Sequence, residues 1–123
     1  MHNDFIHLTN EEQRAAAELV VRLRQRFDGR LVSVTLFGSR ARGDAGPHSD
    51  LDVVVVLSSV DLDIRKEVRH LAVEVWLEHG IYISTRVWDR AHWHKLEELR
   101  TTFYQNIRRD GVNLLELSPA ATP

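Results

Sequence analysis

The chain contains no cysteine among its 123 residues, so neither a disulfide framework nor a thiolate metal site can hold it together. The fold has to stand on packing alone. Long apolar runs are also missing: nothing approaches the roughly 20 consecutive apolar residues that a membrane helix requires, and the opening MHNDFIHLTNEEQ lacks the basic and apolar segments of a secretory signal. A cytoplasmic protein without a membrane partner is the expectation. No charge of one sign dominates. Sixteen Lys and Arg against eighteen Asp and Glu leave a net charge of −2, which gives little reason to expect a phosphate backbone as the main partner, so direct nucleic-acid binding is disfavoured.

What is present is a composition of 43% hydrophobic and 28% charged residues, which suits one compact domain with a modest core. The expected domain is 1–123, with a core over about 10–117 and a frayed end at 118–123. Thr9 followed three residues later by Glu12 reads as a capping box opening a helix whose Ala16, Val20, Leu23 and Phe27 share a face. Asp28-Gly29 stops it. LVSVTLF (31–37) and LDVVVVL (51–57) read as strands, the second apolar on both faces beyond Asp52 and therefore central in the sheet. The connection at 40–49 is rich in turn formers, with one short helical turn around SRARGD. A helix over 61–79, a third strand over 81–88, a helix over 90–109 with Leu96, Leu99, Phe103 and Ile107 as its stripe, and a short edge strand in VNLLEL complete the pattern. This is a mixed sheet with helices packed on it, of α/β or α+β class.

The stretch GSRARGDAGPHSDLDVVVV (38–56) carries the chemistry. Residues i and i+2 of a strand project from one face, so Asp50 and Asp52 stand side by side about 7 Å apart. Two carboxylates beside a low-dielectric sheet repel each other, and a divalent cation between them removes the conflict. Hard oxygen ligands select Mg²⁺ or Mn²⁺, whose remaining positions go to water and phosphate oxygens. Gly38 lets backbone approach a ligand closely, and Ser39 offers a hydroxyl and an N–H to an anion. Arg40 and Arg42 add positive charge, although a solvated turn explains them equally well. Asp44 suits a role in bracing the loop.

Gly38-Ser39, ten intervening residues, then Asp50-x-Asp52 on a strand resembles the signature of minimal nucleotidyltransferases in the DNA polymerase β superfamily, and the layout from the first helix to Gly111 is similar as well. The closing FYQNIRRDGVNLLEL resembles the tail of short members that pair with HEPN proteins as toxin–antitoxin modules. The resemblance implies a nucleotidyltransferase α/β core, with Asp50 and Asp52 as catalytic Mg²⁺ ligands and Gly38 and Ser39 on the nucleotide phosphates. It further implies transfer of a nucleoside monophosphate, often AMP from ATP, to an acceptor hydroxyl. In HEPN-paired members that hydroxyl is a tyrosine of the partner RNase. An oligomer is compatible with this reading.

One departure stands out. Active relatives commonly carry a third acid on the next strand, whereas here one face of 81–88 holds Tyr82, Ser84, Arg86 and Trp88 and the other Ile81, Ile83, Thr85 and Val87. Glu78 and Asp89 flank that strand and reach the site only if its limits shift. The alternative function is therefore a catalytically weak, nucleotide-binding subunit that neutralises its partner by complex formation. The HWH at 92–94 invites a zinc reading, but positions i and i+2 of a helix diverge. Trp76, Trp88, Trp93 and Tyr104 read as core or interface anchors.

Overall fold

Helix α1 (Asn10–Phe27) begins where the capping box places it: the Glu12 N–H donates to Thr9 Oγ1 at 3.0 Å, and the Thr9 N–H donates to Glu12 Oε1 at 2.8 Å. Two of the helix's orphan donors are satisfied reciprocally. The computed structural model describes residues 7–43 and 50–117, so Asp44 and the tail at 118–123 lie outside the described residues. After α1 the chain runs through strand β1 (Leu31–Phe37), a single helical turn α2 (Ser39–Arg42), strand β2 (Leu51–Leu57), helix α3 (Leu62–His79), strand β3 (Ile83–Asp89), helices α4 (Arg90–Leu99) and α5 (Thr102–Asp110), and the two-residue strand β4 (Val112–Asn113).

The sheet order is β3-β2-β1-β4, with β2 parallel to β3 and β1 antiparallel to both β2 and β4. The valine strand is thus internal, as its two apolar faces require. Alternation along it sorts the interior into two layers. Leu51, Val53, Val55 and Leu57 meet Leu19, Leu23 and Phe27 of α1 and Val68 and Val75 of α3. Val54 and Val56 turn the other way, toward Ile107, Trp88, Trp93 and Phe103. Arg22 ties the first layer together from outside, donating to Glu18, Glu74 and Glu78 across α1 and α3. Among the described residues no helix is long and apolar enough to cross a membrane.

Two expectations need correction. The third strand begins at Ile83 rather than 81 and ends at Asp89. The single helix expected over 90–109 is two helices, because Arg100 adopts a left-handed conformation (φ 49°) and Thr101 caps a new helix by accepting the Tyr104 N–H at 3.1 Å. A threonine hydroxyl offers the backbone this alternative to helix continuation. The break rotates the stripe, leaving Leu99 63% exposed while Ile107 packs on the sheet.

Candidate functional site

The carboxylate pair sits where the antiparallel pair β1/β2 meets its connection. Phe37, the last residue of β1, lies opposite Asp52 in register, so Gly38 follows directly beside that carboxylate. Gly38 has φ +78°, and a Cβ built on it would come within 2.8 Å of Asp52 Oδ2. Both facts demand glycine here: an L side chain would be strained by the backbone and would push the carboxylate aside. The Gly38 carbonyl accepts the N–H groups of Ala41 and Arg42, each at 3.1 Å, which closes the turn, and Gly43 (φ +86°) ends it. Ser39 is therefore held in the turn that abuts Asp52.

Asp50, just before β2, is exposed, and Asp52 is half-buried. Burial pushes the Asp52 carboxyl above the usual carboxylate range, the neighbouring Asp50 charge adds to the rise, and Arg86 pulls it back. The like-charge conflict inferred from spacing is thus present in the fold. A hard divalent cation fits this donor set, since it would relieve the repulsion and has an open side for phosphate oxygens.

The parallel pairing of β2 with β3 places Ser84 beside Asp52 and Arg86 beside Val54. Asp52, Val54 and Val56 share a face, and Arg86 lies on that same side, its guanidinium 5.9 Å from the Phe37 ring centroid and 5.3 Å from that of Phe103. Neither flanking acid completes the pair. Glu78 is engaged by Arg22 on the opposite layer, and Asp89 pairs in register with Leu57 at the far end of β2, where it caps α4 by accepting the His92 N–H at 2.7 Å. Among the described residues no group of three or more His, Asp or Glu could hold a metal ion.

The two arginines of the turn are employed. Arg40 pairs with Glu12 at 2.9 Å, a carboxylate only 5% exposed whose other oxygen completes the helix cap. The Arg42 charge is felt at Asp110, whose carboxyl is held below its usual range chiefly by the Arg109 hydrogen bond. Arg40 thus fastens α2 to α1, a task that the capping box gave no hint of. Phe103 was legible as a stripe residue, but its place beneath Arg86 was not. The HWH residues point to packing: the His92 ring meets Trp88 at 5.1 Å, and His94 faces Glu97 and Glu98. A groove of about 380 Å³ lined by Thr35, Trp93, Tyr104, Ile107, Arg108 and Asn113 does not include the carboxylates.

Residues 17–107, which contain the Gly38 turn and both aspartates, match the family described as nucleotidyltransferase domain. The chain belongs to that family. A protein of Methanocaldococcus jannaschii provisionally named as a protein adenylyltransferase is 32% identical over 100 residues, covering 81% of this chain and 94% of its own length. A second protein from that organism with the same kind of name is 36% identical over 70 residues, spanning 54% of this chain and 48% of the relative. Among solved structures, a protein provisionally named as a minimal nucleotidyltransferase superposes with a TM-score of 0.54 at 24% identity, covering 87% of this chain and 97% of the other. A chain of a toxin–antitoxin structure with AMP-PNP gives 0.51 at 22% identity, covering 86% and 73%. This nucleotidyltransferase domain therefore has the fold expected from its sequence, with a four-stranded mixed sheet, and its family is one of transferases.

Proposed function

We propose that this nucleotidyltransferase moves AMP from ATP onto a protein hydroxyl, and that the acceptor is a tyrosine of a HEPN-type RNase toxin for which the chain serves as antitoxin. The observation that carries the reading is the contact geometry of Gly38 with Asp52: a turn with no side chain in the way lies against one member of a carboxylate pair. Support for a protein acceptor comes from the relative matched over 94% of its length and provisionally named as a protein adenylyltransferase, and for the antitoxin role from the toxin–antitoxin structure of like fold.

Asp50 and Asp52 would hold Mg²⁺ or Mn²⁺, which when bound supplies charge neutralisation at the triphosphate. Gly38 and Ser39 would receive the phosphates through backbone N–H groups and the hydroxyl. Arg42 contributes positive charge nearby, and Arg40 acts by fixing the turn to Glu12. The acceptor oxygen attacks the α-phosphorus, a new P–O bond forms, the bond to the bridging oxygen breaks, and pyrophosphate carries away the electron pair. Positioning and charge neutralisation account for most of the acceleration in such transfers.

The test is incubation of the chain with ATP labelled at the α-phosphate, Mg²⁺ or Mn²⁺, and a candidate HEPN protein. The label is expected on the partner, and the Asp50→Asn, Asp52→Asn double variant should lose on the order of 10³-fold in rate. Absence of transfer to any acceptor removes the enzymatic reading. The missing third carboxylate favours one second reading, neutralisation by masking. It is distinguished by whether the double variant still silences the toxin.

A further inference from the structure

We propose that Arg86 stands in for a third carboxylate at the site, so that the transfer runs with one divalent ion and a fixed guanidinium on the acceptor side. This inference rests on the nucleotidyl transfer proposed above. The site has two flanks. On the β1 flank the Gly38 turn touches Asp52 and is the place for the triphosphate. The other flank is β3, where Ser84 lies beside Asp52 and Arg86 is the next residue on that face. An acceptor hydroxyl approaching the α-phosphorus from the side away from the leaving pyrophosphate meets this flank.

Arg86 is built to stay there. Its guanidinium rests against Phe37 and Phe103, and those two rings meet edge to face at 5.3 Å. Trp88 in turn packs against Phe103 at 5.1 Å. Cation–π contact occupies the guanidinium face and leaves its rim of N–H donors available. Other arginines of the chain are consumed by acids: Arg22 by three glutamates, Arg26 by Glu67 and Arg40 by Glu12. Among the described residues no hydrogen bond or ion pair engages the Arg86 guanidinium. It is an exposed cation, held against aromatic rings on the face that carries Asp52, whose carboxyl feels its charge.

A carboxylate at this place would gather a second cation beside the first. A permanently protonated arginine repels one. It instead offers N–H donors to the α-phosphate oxygens, where negative charge accumulates during attack. Arg86 cannot accept the hydroxyl proton, so that proton leaves to water.

Manganese binding to the full chain decides the matter without turnover. With saturating α,β-methylene ATP, electron paramagnetic resonance should count one protein-dependent Mn²⁺ per complex, and Arg86→Glu should raise the count to two. Arg86→Gln should slow AMP transfer on the order of 10²-fold with the nucleotide dissociation constant changed less than about threefold, and Arg86→Lys should restore part of the rate. Two ions on the wild-type complex, a count unchanged in Arg86→Glu, or a wild-type rate in Arg86→Gln each overturns the proposal. If Asp50→Asn with Asp52→Asn keeps its ion, the carboxylate reading beneath it falls instead.

Discussion

The two faces of the sheet are built to different standards. On one, α1 and α3 lay a continuous aliphatic layer over β2, in which Leu19, Leu23, Phe27, Val68 and Val75 are each no more than 1% exposed. On the other, α4 and α5 join Phe37 of β1 and Trp88 of β3 in a smaller, aromatic layer in which Ile107 is buried and Trp88, Trp93, Phe37 and Phe103 are only partly covered. Close packing stabilises but admits no ligand, whereas a half-covered face keeps room for one. Asp52 and Arg86 both belong to the second face. The tight layer fixes the backbone of β2, and the open layer presents what that backbone aims.

Breaking the tight face should give the largest effect on stability. Leu23→Ala removes a fully buried side chain and should cost about 2–5 kcal/mol, read as a lowered midpoint in urea, with the transfer rate per folded molecule unchanged. Phe103→Ala inverts the pattern, because the ring is partly exposed and lies beneath Arg86. Its loss of rate should exceed its loss of stability. Equal losses in both variants would mean that the two layers are not separable.

Gly38→Ala tests the seam between the faces. The substitution places a methyl against Asp52 Oδ2 on a backbone at φ 78°, ψ −158°, a region that only glycine enters readily, at a cost of about 1–3 kcal/mol from conformation alone. Transfer should fall by more than that destabilisation explains, since the carboxylate must move. Full activity in Gly38→Ala, measured at saturating ATP, would show that the close approach has no part in the site.

How much of this was readable in advance follows from the range of the interactions. The capping box, the valine strand and the Gly38 turn are local, and each appears within a few residues where the pattern places it. The break at Arg100 is local too, but it depends on a threonine hydroxyl outcompeting helix continuation, and a stripe of leucines and phenylalanines does not register that competition. Period-two alternation put Arg86 on a polar face of β3; only the β2–β3 register could place it one pleat beyond Asp52. The Arg40–Glu12 pair joins residues far apart in sequence, and nothing in either neighbourhood announces it.

The smallest effect is the most specific to the open face. Burial and Asp50 raise the Asp52 carboxyl above its ordinary value in the folded chain, while in the unfolded chain it titrates normally. Between those two values the folded state binds more protons, so this group's contribution to stability falls as pH rises through the window and stays low at neutrality. Asp52→Asn removes the slope. The variant should therefore unfold later than wild type at neutral pH, and the gap should close as pH falls below the ordinary carboxylate range, both followed by thermal melts. Mg²⁺ with a nucleotide analogue should reverse the order, since a ligand at a hundred times its dissociation constant adds about 2.7 kcal/mol to the form that binds it. A wild-type chain more stable than Asp52→Asn at neutral pH without ligand would mean that the carboxylate pair carries no conflict for a cation to relieve.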